Sequence, residues 1–294
     1  MKHPSCNFMC IPPDACEASN SRYAILPVPY EGTVTFMRGT ADAPAAILDA
    51  SAQVEEFDEE LTRDFRATGI ITLPAILPAD APQEQMRRVA DAARTIVGSG
   101  KFLLTLGGEH SITAPLVWAT AEEHGAISVL QIDAHADLRD TYEGSPYSHA
   151  CVMRRVLEVT DRLAQVGIRN YSQREYLECP RQVENFITPA AIESDPNWIA
   201  RVLSLLGEKV YVTVDVDGFD PAYVPGTGTP EPGGLTWRHV TSLLRRVCAE
   251  RQIVGADIVE VVPVPGQKVS EFLAARLAYK MIAYIESSSY NLRS

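Results

Sequence analysis

Short apolar runs recur along the chain, and stretches with helical periodicity separate them. This alternation is typical of a parallel sheet whose strands are joined by crossover helices. Eight runs qualify as strands, at residues 23–28, 69–73, 102–106, 128–133, 163–168, 185–188, 210–215 and 254–260. The pattern therefore predicts an α/β fold with a mainly parallel sheet of about eight strands.

Three stretches have the spacing of amphipathic helices. The first, 82–97, stops before Gly98 and Gly100, as helices commonly do. The second opens at Leu235, with Thr236 as its candidate cap, and runs through Val247. The third covers residues 269–285. These helices are expected to cover the sheet.

No internal repeat, low-complexity tract or linker divides the sequence. We therefore predict an N-terminal extension over residues 1–20 and a single catalytic domain over residues 21–294. The cysteines at positions 6, 10 and 16 match no standard zinc or iron–sulfur spacing. A flexible tail with reduced thiols is the simplest interpretation, and the cysteines at 151, 179 and 248 are also expected to be reduced.

Charge narrows the classes of partner. The 294 residues include 26 Lys and Arg against 38 Asp and Glu, which gives a formal charge of −12. An acidic surface without a basic cluster disfavours nucleic acid and suits a small cationic substrate. No apolar stretch approaches the roughly 20 residues that cross a bilayer, and the N-terminus lacks a signal-peptide core. A cytoplasmic protein with no membrane partner is expected.

The most informative segment follows the run at 128–133. Asp133, His135 and Asp137 alternate along an extended chain, so their side chains share one face. They would project from the carboxyl end of a parallel strand, where open α/β sheets bind ligands. The alternative is a solvated strand end that carries ordinary polar residues.

A second apolar run ends in Asp215 and Asp217. Unpaired carboxylates at the end of a buried strand would repel each other unless a cation neutralised them. Asp220 precedes Pro221 and is interpreted as a turn residue rather than a ligand. This segment also predicts a metal.

The third segment is the Gly-Gly-Glu-His-Ser turn at residues 107–111, directly after another strand. Its glycines allow a tight turn, and His110 or Ser111 would begin a helix. Alone, His110 is more simply a structural hydrogen-bonding residue, and Glu109 a surface charge. In combination with the aspartates, His110 becomes a candidate ligand.

Two histidines and four aspartates exceed the four ligands of one tetrahedral zinc, so two ions are implied. Mixed carboxylate and imidazole ligands without cysteine favour Mn²⁺, while Ni²⁺, Co²⁺ and Zn²⁺ stay open. Paired ions of this kind lie about 3.5–4 Å apart and lower the pKa of a shared water toward neutrality. The sequence therefore predicts a hydrolase.

These motifs resemble those of the ureohydrolases, the family of agmatinase, arginase and guanidinobutyrase. The resemblance spans nearly the whole chain and is carried by the segments at 107–111, 133–137, 215–221 and 257–261. It implies a three-layer α/β/α sandwich. It also implies two manganese ions per subunit, one held by His110, Asp133, Asp137 and Asp215 and the other by His135, Asp133, Asp215 and Asp217.

Further roles are implied by the same resemblance. Hydroxide shared by the ions would attack the guanidinium carbon, and Asp137 would accept its hydrogen bond. His149 would act as a proton shuttle to the leaving amine, and Glu260 would hold the guanidinium. Without the resemblance, His149 is more simply a capping or surface histidine. Glu109 stands where many relatives have aspartate.

The loops at 146–150 and 225–235 resemble those of agmatinases more than those of arginases. The expected reaction is hydrolysis of agmatine to putrescine and urea. The alternatives are another guanidino substrate (guanidinobutyrate, arginine, a larger guanidino compound or guanidine), a non-catalytic regulatory relative, and a single-zinc deacetylase on a similar sheet. Relatives are often trimers or hexamers, so a homo-oligomer is expected.

Overall fold

The centre of the molecule is a parallel sheet. A computed structural model of the chain describes residues 7–12, 19 and 21–291. For residues 289–291 it describes the backbone alone. Its strands are β1 (Tyr23–Val28), β2 (Phe57–Asp58), β3 (Arg63–Asp64), β4 (Ile70–Thr72), β5 (Phe102–Gly107), β6 (Ser128–Ile132), β7 (Leu163–Val166), β8 (Lys209–Asp215) and β9 (Gln252–Val259).

Seven of these strands form one sheet in the order β4-β1-β5-β9-β8-β6-β7. Each neighbouring pair in this sheet is parallel. Strands β2 and β3 form a separate antiparallel pair. Because the strands run in one direction, their carboxyl ends meet along a single edge.

Helices cover both faces of the sheet. They are α1 (Ala43–Ser51), α2 (Pro82–Gly98), α3 (Thr113–His124), α4 (Val152–Val156), α5 (Gln173–Glu178), α6 (Pro180–Val183), α7 (Pro189–Ser194), α8 (Trp198–Leu205), α9 (Trp237–Glu250) and α10 (Val269–Asn291). Side chains of α1, α8, α9 and α10 pack in the apolar core of one face, and those of α2, α3 and α4 in the other. The predicted three-layer α/β/α architecture is confirmed.

Burial on both faces explains the composition of the central strands. All six residues of β1 are buried, as are all but the first residue of β8 and of β9. Strands buried on both sides need continuous apolar character rather than alternation. Within the described ranges, no helix has the combination of length and apolarity that a bilayer crossing requires.

One predicted strand is wrong. Residues 185–188 form a single parallel bridge, between Val166 and Ile187, rather than a strand. The reason is local, because the Thr188 side chain caps α7 and Pro189 begins that helix. The remaining seven runs are strands, with bounds that shift by up to two residues.

The three predicted helices are present. Helix α9 begins at Trp237 rather than at Leu235, because Thr236 caps it and exchanges hydrogen bonds with His239. The residue before this cap, Leu235, pairs with Phe219 instead. Helix α10 continues beyond residue 285 to Asn291.

The described part of the N-terminal segment is not a loose tail. Phe8, Met9 and Ile11 are buried in the core that contains α1 and α10. The Met9 amide donates to Ser51 Oγ at 2.8 Å. Cys10 is disulfide-bonded, which corrects the expectation of a free thiol there. Cys6 and Cys16 lie outside the described residues, whereas Cys151, Cys179 and Cys248 are free, as predicted.

A close backbone approach shapes the loops at the carboxyl edge of the sheet. The chain leaving β1 runs against the turn after β5, where the Glu109 amide donates to the Tyr30 carbonyl oxygen at 2.9 Å. A Cβ atom at Gly108 would lie 2.1 Å from that same oxygen. Glycine is therefore required at this position.

Replacing Gly108 by alanine should push the two loops apart. We expect the free energy of unfolding to fall by about 2–3 kcal/mol in denaturant titrations. Gly98→Ala is the matched control, because a Cβ there meets its nearest atom at 3.9 Å, and its effect should stay within about 1 kcal/mol. Equal stabilities of the two variants would contradict this account.

Candidate metal centre and active site

Four adjacent strands deliver the candidate residues to one place. Strands β5, β9, β8 and β6 are neighbours in the sheet. The polar side chains at or just after their carboxyl ends are His110, Glu260, Asp215 and Asp133. His135, Asp137 and Asp217 follow within a few residues, and all seven side chains except Asp133 line one cleft of about 200 Å³. The parallel sheet thus brings these seven side chains, which are distant in the sequence, together in one cluster.

The first half of the cluster surrounds His110. Its Nδ1 lies 3.1 Å from Asp133 Oδ2, 3.1 Å from Asp137 Oδ2 and 3.4 Å from Asp215 Oδ2. Despite these neighbours, Nδ1 is buried without a hydrogen-bond partner. A lone pair that converges with three carboxylate oxygens is the arrangement that a cation needs.

The second half of the cluster lies around His135. Its Nδ1 is 2.9 Å from Asp217 Oδ2 and 3.7 Å from Asp133 Oδ1. Asp133 thus turns one oxygen to each histidine. These positions are compatible with the bridging role that was expected of Asp133. Asp215 turns Oδ2 to the first half, while its Oδ1 accepts the Asp217 amide at 2.9 Å.

Buried hydroxyl groups fix the orientation of His110. The Thr213 hydroxyl donates to Asp257 Oδ1 at 2.6 Å, so its oxygen is left to accept from His110 Nε2 at 2.9 Å. Asp257 also accepts from the hydroxyls of Thr113 and Tyr211. With its proton held on Nε2, a neutral His110 presents an unprotonated Nδ1 to the cluster.

Amides hold the aspartates in place. Gln131 Nε2 donates to Asp133 Oδ2 at 2.6 Å, and Gln165 donates to Gln131 in turn. The backbone amides of Ala134 and His135 donate to Asp217 Oδ1 and Asp133 Oδ1. Supporting contacts of this kind orient ligands and are a regular part of metal sites.

Arg169 ties together the loops that carry Asp217. Its guanidinium donates to the carbonyl oxygens of Asp217, Gly218 and Phe219 on one loop. It also donates to those of Glu231 and Pro232 on another. One planar cation therefore donates to five backbone carbonyl oxygens on two loops.

The density of negative charge shifts the pKa values of the cluster. Burial, together with the charges of Asp217 and Asp137, raises the pKa of Asp133 to about 7. Burial and Asp217 likewise hold the pKa of Asp215 well above its usual range. Burial lowers the pKa of His135, but Asp217 and Asp133 outweigh it and raise that pKa to about 11. Divalent cations would relieve this repulsion.

Glu260 lies at the inner wall of the cleft in a left-handed backbone conformation, with φ of 65°. Its Oε1 accepts the His110 amide at 2.7 Å, which leaves Oε2 as the oxygen free for a ligand. Burial and the neighbouring Glu109 raise the pKa of Glu260. A cationic ligand would favour its charged form.

His149 opens a 3-10 turn at the rim of the same cleft. Its imidazole contacts Thr33, which in turn contacts Glu109. Glu109 is fully buried, so the view of it as a surface charge is wrong. Asp220, in contrast, accepts the Ala222 amide within its own turn, as the sequence predicts, and also the amides of Gly233 and Gly234 from a later loop.

The residues that support the ligands could not be identified from the sequence. Thr213, Gln131 and Thr33 carry no metal-binding signal of their own, and their importance depends on the fold. Asp257 and Arg169 had a weak signal, since a charge within or beside an apolar strand needs a partner. The predicted site residues themselves are brought together, and their ligand roles stay predictions.

The donor set fits a pair of divalent cations. Two groups that share Asp133 are placed to hold a metal ion, one of His110, Asp133 and Asp137 and one of Asp133, His135 and Asp217. Both contain nitrogen and carboxylate oxygen and no sulfur, which suits Mn²⁺ and its neighbours in the first transition row.

Comparison with known proteins gives concordant results. A sequence model of the Arginase family matches residues 21–283. The N(1)-aminopropylagmatine ureohydrolase of Synechocystis sp. is 40% identical, over 90% of this chain and 90% of its own. The agmatinase of Bacillus anthracis is 33% identical, over 83% and 84%. The crystal structure of agmatine ureohydrolase of Thermoplasma volcanium matches with a TM-score of 0.86 and 32% identity, over 95% of both chains.

Removal of divalent cations should make stability depend on pH in a defined direction. In the folded chain the pKa of Asp133 is raised from 3.8 to about 7 and that of His135 from 6.5 to about 11. Groups with raised pKa values contribute stability at low pH and lose it as pH rises through the folded pKa. Asp217, whose pKa is lowered, changes its contribution only in acid. In EDTA, the melting temperature should therefore fall between pH 6 and pH 8.

With Mn²⁺ in excess, the melting temperature should instead rise from pH 6 to pH 8, because metal binding releases protons and becomes stronger as the pH rises. Differential scanning calorimetry at both pH values, with and without the metal, provides the measurement. A metal-free protein that becomes more stable from pH 6 to pH 8 would contradict the proposed electrostatics.

Proposed function

Since the chain belongs to the arginase family, we propose that it is a binuclear-metal hydrolase that releases urea from agmatine. The supporting observation is the convergence of two histidines and four aspartates, as two overlapping groups, at one edge of the sheet. A non-catalytic relative would have no need to keep this set. A single-zinc deacetylase would have no need for the second group.

We assign His110, Asp133, Asp137 and Asp215 to one ion and His135, Asp133, Asp215 and Asp217 to the other. Manganese is the proposed metal, because carboxylates outnumber imidazoles in the set. When bound, the pair supplies an activated water near neutral pH and positive charge beside the reacting carbon. The geometry favours Asp133 as a bridge, since its two oxygens already face different histidines.

The protein's own side chains supply binding and proton transfer. Glu260 Oε2 binds the planar guanidinium, whose N–H groups match a carboxylate. Asp137 would accept a hydrogen bond from the attacking water. His149 at the rim takes up a proton that the attacking water loses and passes it to the departing amine, so that the product leaves as an ammonium ion.

The walls of the cleft suit an alkyl chain that ends in a cation. Val34, Phe36 and Met37 form an apolar wall, while Asn170 and Thr229 line another part of the cleft. Agmatine has a guanidinium at one end, four methylenes and an amine at the other. The net charge of −12 would also favour the encounter with such a dication at low salt.

A second candidate substrate is N(1)-aminopropylagmatine. It is favoured by one observation, namely that the relative from Synechocystis sp. that is 40% identical bears the name of that activity. This molecule shares the guanidinobutyl group with agmatine and extends further from the amine end. It would occupy the same cleft and reach beyond the rim.

The compartment and the assembly stay predictions from the sequence. A cytoplasmic homo-oligomer is expected. Exposed apolar side chains such as Phe57 and Phe272 would be suitable for contacts between subunits.

Urea release from a panel of compounds tests the proposed function. The Mn²⁺-loaded protein is incubated with agmatine, N(1)-aminopropylagmatine, guanidinobutyrate, arginine and guanidine at equal concentration. We expect kcat/KM for the two amines to exceed that for the carboxylate-bearing compounds by at least about 100-fold, because buried or crowded carboxylates disfavour an anionic tail.

Omission of the metal, with EDTA present, is the control and should abolish urea release. Activity confined to arginine or to guanidinobutyrate would contradict the proposed substrate. The absence of urea from every compound would contradict the proposed reaction.

A further inference from the structure

A buried carboxylate lies behind the proposed proton shuttle, connected to it through a single hydroxyl group. Glu109 is completely buried in the turn after β5. It accepts the Thr33 amide at 2.6 Å, the Thr33 hydroxyl at 2.7 Å and the Ser111 hydroxyl at 2.6 Å. Thr33 then contacts His149. The chain of contacts runs from Glu109 through Thr33 to the imidazole.

The direction of these hydrogen bonds follows from the number of protons that each group can donate. A threonine hydroxyl has one proton, and that of Thr33 points to Glu109. Its oxygen is therefore an acceptor toward His149, whose backbone amide donates to it at 3.0 Å. With Glu109 ionised, the second contact, 3.2 Å from His149 Nδ1, is a hydrogen bond when Nδ1 carries the proton. The Ser148 hydroxyl lies 3.5 Å from the same nitrogen, and its oxygen can accept that proton as well.

We propose that Thr33, oriented by Glu109, is a positioning residue that keeps a proton on His149 Nδ1 and so leaves Nε2 as the nitrogen that transfers the proton. The inference depends on the proposed function, in which His149 serves the leaving amine. His149 lines the cleft, and among the described residues Nε2 has no hydrogen-bond partner. Nε2 is thus available to a substrate.

The position of Thr33 is itself constrained. The segment before it is fixed by the hydrogen bond between the Glu109 amide and the Tyr30 carbonyl. The segment after it is closed by Glu31, which accepts the backbone amides of Gly39 and Ala41. Thr33 therefore meets His149 from a loop that is held at both ends, as a group that orients a catalytic base requires.

Tyr142 restricts the ring from another side. Its aromatic ring lies 6.0 Å from that of His149, edge to face, with an interplanar angle of 84°. Arg139 packs over the Tyr142 ring, with its guanidinium carbon 4.6 Å from the centroid. Together with Thr33, these contacts define both the tilt and the rotation of the imidazole.

Kinetics of three variants of the metal-loaded protein test the proposal. Thr33→Val keeps the shape and the amide contact to Glu109 but removes the hydroxyl. We expect kcat to fall about 10- to 100-fold with KM for agmatine changed by less than about threefold, since proton transfer rather than binding is impaired. Thr33→Ser restores the hydroxyl and should recover most of kcat.

Ser111→Ala is the matched control for damage to the network. It removes a hydroxyl from the same carboxylate without a contact to His149, so its loss of kcat should be clearly smaller than that of Thr33→Val. The proposal is overturned if Thr33→Val keeps the wild-type kcat. It is also overturned if either Thr33→Ser or Ser111→Ala loses as much kcat as Thr33→Val.

A measurement without substrate separates this inference from the proposed function. Long-range ¹H–¹⁵N spectra of the zinc-loaded protein, with Zn²⁺ as a diamagnetic substitute, report which nitrogen of a neutral histidine carries the proton. His149 is assigned by the signal that disappears in His149→Gln. We expect the Nδ1–H form in the wild type and in Thr33→Ser, and loss of this preference in Thr33→Val.

A wild-type His149 that carries its proton on Nε2 overturns the role of Thr33, whatever the activity. A wild-type protein that releases no urea, yet shows the Nδ1–H form, overturns the proposed function instead.

Discussion

Repulsion among buried carboxylates is the constraint on which the active site depends. Asp133, Asp137, Asp215 and Asp217 converge beside two histidines at the ends of four adjacent strands. Burial and their mutual proximity raise the pKa values of Asp133 and Asp215, and the aspartates raise those of both histidines against the effect of burial. Such a concentration of charge costs folding free energy unless cations neutralise it. The architecture is therefore explained best by the ions that it would hold.

The surrounding residues make this arrangement specific. Thr213 and Asp257 hold the proton of His110 on the nitrogen that faces away from the cluster. On the other side of the cleft, Thr33 and Glu109 are placed to do the same for His149. In both cases a carboxylate accepts the proton of a threonine hydroxyl, and the oxygen of that hydroxyl contacts one imidazole nitrogen. The two histidines thereby present an unprotonated nitrogen, one to a metal and one to a substrate.

Much of this could be predicted from the sequence, because the relevant signals are local. An apolar run followed by acidic residues at alternate positions predicts both a buried strand and ligands at its end, as at 128–137 and 209–217. The resemblance to ureohydrolases assigned these separate segments to one metal site, and the match to the family model establishes that family. Residues 185–188 misled the prediction because Phe186 and Ile187 are apolar and buried as strand residues are, while Thr188 is the cap of α7.

The supporting residues could not be found in this way. The contact of Thr33 with Glu109 joins positions 76 apart, and it exists because Gly108 lets two loops meet. The burial of Phe8, Met9 and Ile11 likewise depends on a tertiary surface that no local pattern describes. Hydroxyl-bearing side chains occur throughout the sequence, so their roles become visible once the fold is known.

The most direct test of the account is the number and position of bound ions. Anomalous diffraction from crystals soaked in Mn²⁺ measures both. We expect two peaks about 3.5–4 Å apart, one beside His110 and one beside His135, with Asp133 between them. A single peak, or peaks away from these side chains, would contradict the binuclear centre and the reaction proposed for it.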